Sequence, residues 1–150
     1  LGTTKINFQG KEIDLTPPWD RKTMLGAVEE YTGLDFSDVF APEQARKMAK
    51  SIGVEVEDNA NWGQVVETVF EEKVEPHLIQ PVHIIDYPRE VSPLAKVHRD
   101  NPRLTERFET RINGWEVCNA FSELTDPLDQ RNRFEAQAKA KAEGDEDPHL

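Results

Sequence analysis

The strongest local signal in the chain is the stretch Arg107–Phe121, which reads RFETRINGWEVCNAF. Two runs of alternating apolar and polar residues flank the dipeptide Asn113-Gly114. Alternation is typical of half-buried strands, and Asn-Gly between two such runs favours a type I′ turn, in which both central residues need a positive φ. The stretch therefore predicts a β-hairpin and, around it, an antiparallel sheet.

The two-residue turn also predicts which residues face each other. A regular ladder pairs Arg111 with Glu116, and it pairs Glu109 with Cys118 two positions further on. Glu109 and Glu116 then lie on one face as diagonal neighbours, roughly 7–8 Å apart along the backbone. Two carboxylates at this spacing can hold Mg²⁺, which prefers oxygen ligands and often shares them with phosphates. The alternative is a solvated face on which both acids pair with Arg107 and Arg111, and the spacing alone favours this alternative.

Beyond the turn, Asn119, Phe121 and Glu123 recur at every second position. An amide, an aromatic wall and a carboxylate would suit a small ligand that carries both a carboxylate and an ammonium group. The alternative is a sheet edge that runs into the cap of the next helix, and the pattern alone favours it. The residues by themselves leave both interpretations open.

The rest of the chain predicts an α+β fold. Residues 1–15 alternate about a glycine and predict a first β-hairpin, whereas residues 16–80 adopt a helical period and predict a helical insertion. Strand patterns return over residues 81–124, and an Asp-Pro pair begins a final helix over residues 127–143. We expect residues 1–15 and 81–124 to build one antiparallel sheet.

Composition excludes several classes of protein. The 150 residues include 29 acidic and 18 basic side chains, which give a formal net charge of −11 and argue against a dedicated nucleic-acid-binding module. The single cysteine excludes an internal disulfide framework and a zinc site with four cysteine ligands. No apolar run approaches the roughly 20 residues of a membrane span. We expect a cytoplasmic protein and, since the chain begins without methionine, a part of a longer one.

Three stretches resemble a known family. They are Tyr87–Lys96 (YPREVSPLAK), Leu104–Glu109 (LTERFE) and Gly114–Pro127 (GWEVCNAFSELTDP). Together they resemble the catalytic domain of class II lysyl-tRNA synthetases, and the resemblance covers nearly the whole chain. It implies that residues 1–150 are part of one catalytic domain, between the second and third class II motifs. The fold would be a partial class II antiparallel sheet with a helical insertion.

The resemblance implies an ATP-dependent lysine–tRNA ligase, which forms lysyl-adenylate and transfers lysine to tRNA. ATP, lysine and tRNA would be its partners, Mg²⁺ would accompany the ATP, and the full-length enzyme would be a homodimer. The chain alone would be inactive, because the arginines of the second and third class II motifs lie outside it. The resemblance assigns no residue of this chain as a catalyst.

Individual roles follow from the matching motifs. Glu109 and Glu116 correspond to the carboxylates that hold Mg²⁺ against the ATP phosphates. The resemblance therefore favours a Mg²⁺ site over the solvated face that the spacing alone favours. Asn119 corresponds to the amide that helps to hold the α-group of lysine. Phe121 corresponds to a wall along the lysine stem, and Glu123 to the acceptor of the ε-ammonium group. Two further residues would line the active site, namely Glu90 and Ser92.

These roles conflict with a regular strand. Strict alternation places Glu116 on the face opposite to Asn119, because three positions separate them. If both residues line one cavity, the strand must lose phase between them. We therefore predict a β-bulge near Val117-Cys118, a feature that is common beside active sites.

Two other functions remain open at this point. A paralogue of the same catalytic domain could attach lysine to an acceptor other than tRNA. A non-catalytic acidic binding module would instead carry Glu109 and Glu116 merely as surface charges. The second alternative predicts that these acids share no site with Asn119 and Glu123.

Overall fold

The computed structural model describes residues 2–142. These residues form six strands and four α-helices, together with two short 3₁₀ turns at Glu75–His77 and Arg89–Val91. The strands are β1 (Lys5–Phe8), β2 (Lys11–Asp14), β3 (Asp20–Thr23), β4 (Val82–Ile85), β5 (Arg107–Ile112) and β6 (Trp115–Phe121). The helices are α1 (Met24–Thr32), α2 (Pro42–Ser51), α3 (Trp62–Lys73) and α4 (Pro127–Ala142). Residue 143, the last of the predicted final helix, lies outside the described residues.

The strands form two sheets, which differs in detail from the expected single antiparallel sheet. The hairpin β1–β2 is a sheet of its own and contacts the other sheet through Phe8, whose ring packs edge-on against Trp115 at 5.5 Å. The larger sheet has the order β3-β4-β5-β6, in which β3 and β4 are parallel and the other pairs antiparallel. The parallel pair arises because three helices connect β3 to β4, and parallel neighbours need such a long crossover.

Strand β3 was not predicted, since it lies in the segment assigned to the helical insertion. Its four residues, Asp-Arg-Lys-Thr, are polar and mostly exposed, so they show no alternation of apolar and polar side chains. The strand exists because it pairs with β4, over the register from Asp20–Val82 to Thr23–Ile85. The strand therefore forms because β4 is available for pairing, and the local sequence pattern does not determine it.

Local capping signals set the ends of the three consecutive helices. The Thr23 side chain accepts a hydrogen bond from the amide of Gly26 at the start of α1, and Pro42 is the first residue of α2. Asn61 and Gln64 form a reciprocal capping box at the start of α3. The three helices bury one apolar cluster, which includes Met24, Val28, Phe36, Ala45, Ala49, Trp62, Val65, Val66, Val69 and Phe70.

The sheet meets this cluster on one face only. Val82 and Ile84 of β4 are buried in it, and their partners on β5 in the same register are Arg111 and Glu109. Residues paired across strands lie on the same face. The face that is apolar under the helices therefore becomes charged on β5 and β6, next to the helical core. No helix in the described part of the chain is long and apolar enough to cross a membrane.

Candidate active site

The hairpin turn has the predicted form. Asn113 and Gly114 have φ values of 54° and 77°, both in the left-handed region that a type I′ turn requires. The two turn amides also donate hydrogen bonds to the carbonyls of Ile79, at 3.0 Å, and Leu78, at 2.8 Å. The turn is thereby attached to the segment that follows α3, which fixes the hairpin against the helical region.

The predicted β-bulge is present in β6. From the turn, the ladder pairs Arg111 with Glu116 as expected. The next pair is Thr110 with Cys118, so the register shifts by one residue and Val117 has no partner on β5. The structure thus confirms the bulge near Val117-Cys118.

The bulge changes the partner of Glu109. A regular ladder would pair Glu109 with Cys118, and this expectation is wrong, because the extra residue brings Asn119 opposite Glu109 instead. Glu109 and Arg111 lie two positions apart on β5 and share a face, so their partners Asn119 and Glu116 share it as well. Phe121, the partner of Arg107, extends the same face.

Glu109 is the centre of a buried ion network. The residue is only 2% exposed. Its Oε1 accepts a hydrogen bond from Nη2 of Arg107 at 2.5 Å, and its Oε2 accepts from Nη2 of Arg111 at 2.6 Å. Arg111 also donates to Oε2 of Glu75 at 2.6 Å. Glu109 therefore does pair with both arginines, as the alternative interpretation of a solvated face predicts, but the pairs lie in a buried network. Glu116, by contrast, is exposed.

Arg107 contacts residues from three parts of the chain. Its Nη1 donates to the carbonyl of Val91 at 2.9 Å and to Oγ of Ser92 at 3.0 Å. Its Nε donates to Oδ1 of Asn119 at 3.3 Å, and its guanidinium lies 4.4 Å from the ring centroid of Tyr87. Sequence reasoning missed this role. The Arg-x-Glu-x-Arg alternation identified the ion pairs, but it gave no sign of the loop at 91–92.

Tyr87 is a second residue that the sequence did not single out for chemistry. It is 2% exposed, and its hydroxyl has no hydrogen-bond partner among the described residues. Burial, and then the negative charge of Glu109, raise the pKa of Tyr87 far above its ordinary value. The site therefore contains a buried phenol beside the Glu109 carboxylate.

The other predicted site residues differ in their surroundings. Ser92 is buried and joins the cluster through Arg107. Glu90 packs against α3, where a Cβ on Gly63 would lie 2.8 Å from its Oε2, and burial of this carboxyl group raises its pKa although the residue as a whole is exposed. Glu123 is exposed, two positions beyond Phe121, and its backbone forms an isolated bridge with Ala95. The structure thus brings Ser92, Glu109 and Asn119 together but turns Glu90 toward the helices.

Comparison with known proteins gives a family for this arrangement. A family model described as tRNA synthetases class II (D, K and N) matches residues 3–149. The chain is also 53% identical over 150 residues to a lysine–tRNA ligase of Moorella thermoacetica, and 55% identical over 150 residues to one of Carboxydothermus hydrogenoformans. It is 56% identical over 146 residues to a lysine–tRNA ligase of Trichormus variabilis.

These matches cover 97–100% of this chain but only 26–31% of the length of the relatives. The family match extends across the helical insertion, both sheets and α4, so it does not depend on the hairpin alone. The chain therefore belongs to the class II tRNA synthetases (D, K and N).

Proposed function

We propose that this chain is the part of an ATP-dependent lysine–tRNA ligase that binds MgATP and lysine while lysyl-adenylate forms. The observation that carries the proposal is the bulge at Val117. It places Glu116 and Asn119 on the face that holds Glu109, as a shared site for both substrates requires. A binding module with unrelated surface acids would need no such shift. The name lysine–tRNA ligase on the relatives supports lysine as the amino acid.

Glu109 and Glu116 would hold Mg²⁺ only together with the phosphates of ATP. Within residues 2–142, no group of three or more His, Cys, Asp or Glu side chains could hold a metal ion without other ligands. Mg²⁺ usually takes one or two carboxylates and completes its shell with phosphate oxygens and water. Two carboxylates on one sheet face fit this pattern, so the ion enters as part of the MgATP substrate.

Lysine would lie along the same face toward the end of β6. Asn119 would hold its α-group, Phe121 would line its stem, and Glu123 would accept its ε-ammonium group. A carboxylate opposite an ammonium group gives a charge-assisted hydrogen bond that a neutral side chain cannot make. An amino acid without this amine would leave Glu123 unpaired, and such mismatches are the basis of strong discrimination. The proposal extends to transfer of lysine to tRNA by a homodimeric full-length enzyme.

The test is amino-acid-dependent exchange of pyrophosphate into ATP, measured on the full-length protein. We expect exchange with lysine and none with aspartate or asparagine. Glu123→Gln should lower kcat/KM for lysine by about 10²-fold or more, because a charged partner is lost. Glu55→Gln, a matched change at an exposed position away from the site, should leave exchange unchanged. Exchange without preference for lysine, or an unaffected Glu123→Gln enzyme, would contradict the proposal.

A further inference from the structure

We propose that Glu75 is a positioning residue, which takes over Arg111 when MgATP binds and so frees one oxygen of Glu109 for the magnesium ion. The inference rests on the proposed function and deepens it, since it states how a buried carboxylate becomes available to the substrate. Glu109 is only 2% exposed, and both of its oxygens already accept hydrogen bonds from arginine side chains. An ion that binds Glu109 must therefore displace one of the two arginines.

Arg107 is the more firmly held of these arginines. Its Nη1 donates to the carbonyl of Val91 at 2.9 Å and to Oγ of Ser92 at 3.0 Å, and its guanidinium lies 4.4 Å from the ring centroid of Tyr87. Moving it away from Oε1 of Glu109 would break these contacts as well, and buried donors without partners are costly. Arg107 therefore stays on Oε1 when the substrate arrives.

Arg111, by contrast, already has a second carboxylate as a partner. Its Nε and Nη2 donate to Oε2 of Glu109, at 3.1 and 2.6 Å, and its Nη1 donates to Oε2 of Glu75 at 2.6 Å. Within residues 2–142, the Arg111 side chain forms hydrogen bonds to these two carboxylates only. Oε2 of Glu109 in turn accepts hydrogen bonds from Arg111 alone in that range. Displacing Arg111 would thus free one complete oxygen and disturb no other contact.

Glu75 is suited to receive the displaced guanidinium. Only 13% of the Arg111 side chain is exposed, so losing Glu109 without a replacement would leave a buried charge unpaired. A single oxygen of Glu75 accepts a hydrogen bond within the described part of the chain, so its other oxygen can complete a two-bond pair with the fork of Arg111. The Glu75 side chain is also 29% exposed, which makes its charge less costly to keep than that of Glu109.

The place of Arg111 in the sheet explains why it is the residue that must move. It lies opposite Glu116 in the ladder and two positions from Glu109 on β5, so it is a neighbour of both carboxylates proposed for the ion. While its guanidinium covers Oε2 of Glu109, its positive charge opposes the approach of a cation. Its transfer to Glu75 exchanges one cation for another at Oε2, and every carboxylate stays paired.

The experiment measures the affinity of the full-length protein for ATP by calorimetry, once with Mg²⁺ and once with a chelator in its place. The ratio of the two affinities isolates what magnesium adds. In Glu75→Gln, which keeps the shape of the side chain but not its charge, the ratio should fall about tenfold or more, because a hydrogen bond between charged groups is lost. ATP binding without Mg²⁺ should stay unchanged. A purely structural role of Glu75 would weaken both affinities alike.

Arg111→Met shows whether Glu75 acts through Arg111. Without a guanidinium to transfer, Oε2 of Glu109 is already free, so the ratio should not fall in this variant. Adding Glu75→Gln to Arg111→Met should then change nothing further. Glu72→Gln, a change at an exposed position on α3, is the matched control and should keep the wild-type ratio.

A wild-type ratio in Glu75→Gln would overturn the positioning role and leave the proposed function intact. A further fall when Glu75→Gln is added to Arg111→Met would do the same, because Glu75 would then act without Arg111. If Arg111→Met does not fold, the comparison of Glu75→Gln with Glu72→Gln decides. A wild-type protein to which Mg²⁺ adds no affinity for ATP would instead contradict the proposed function, in which the ion enters with the substrate.

Discussion

At the scale of single residues, the candidate site depends on charges that are buried and mutually neutralised. Glu109 lies between Arg107 and Arg111, whose side chains are 14% and 13% exposed. Removing such groups from water is costly, and close pairing with good hydrogen bonds offsets that cost. The carboxylate proposed to meet MgATP is thus held in place by the two arginines.

Replacing Glu109 with alanine should therefore destabilise the fold strongly. Glu109→Ala leaves two buried guanidinium groups without their shared partner, and breaking a buried pair in this way costs about 3–5 kcal/mol. The free energy of unfolding, measured by urea denaturation, should fall by that amount. Asp58→Ala is the control, because Asp58 is fully exposed in its pair with Lys50, and its unfolding curve should match the wild type. Equal curves for both variants would show that the network contributes nothing to stability.

The sequence could predict the partners of Glu109 but not their burial. Arg107 and Arg111 lie two positions away on the same strand face, so alternation alone indicates the pairs. Burial comes from Tyr87 and from the loop at 91–92, which are about 20 residues distant in sequence. No local pattern reports such contacts, and this is why a solvated face was favoured from spacing.

At the scale of elements, a strand or turn could be predicted from the sequence when the residues that determine it lie close together in the chain. The hairpin β5–β6 was predicted because Asn113-Gly114 specifies its own turn. The bulge was predicted only when the resemblance required Glu116 and Asn119 to share a face, since Val117 has no sequence feature that marks it. Strand β3 was missed because its pairing with β4 crosses three helices.

Helix α4 is attached to the site loop by ion pairs and hydrogen bonds, which makes its docking sensitive to acid. Arg133 donates to the carbonyls of Ser92, at 3.0 Å, and Ala95, at 2.8 Å. It also pairs with Asp129 at 2.9 Å, and Asp129 accepts a second pair from Arg89 at 2.5 Å. The hydrogen bond from Arg133, followed by that from Arg89, lowers the pKa of Asp129 below its ordinary value.

We predict that Asp129 titrates below the ordinary aspartate pKa of about 4. Because the folded pKa is depressed, its contribution to docking is complete above that value and is lost as the pH falls through the folded pKa. Carboxyl-carbon NMR should show the pKa of Asp129 rising in Arg133→Met, and rising less in Arg89→Met. Arg131→Met, on the same helix, should not move it. If the pKa of Asp129 stayed the same in Arg133→Met, this account of how α4 is held would be wrong.

At the scale of the whole molecule, two parts of the fold are stabilised by different interactions. The helices α1–α3 and strand β4 share one apolar cluster that excludes water. Strands β5 and β6 and helix α4 add the arginine and carboxylate contacts of the site to their backbone hydrogen bonds. Hydrophobic burial is the dominant favourable term in folding, so the helical part should set the stability of the chain. The charged part should set the geometry of the site.

A truncation in the core tests this division. Phe70 is fully buried between the helices, and Phe70→Ala should lower the free energy of unfolding by about 3–5 kcal/mol through lost burial and a cavity. Leu128 on α4 is 73% exposed, and Leu128→Ala should change stability by less than about 0.5 kcal/mol. Tryptophan fluorescence during urea titration reports unfolding, because Trp62, one of three tryptophans, is 3% exposed in the same cluster. If the two variants lost similar stability, the helical cluster would not be the dominant core of the chain.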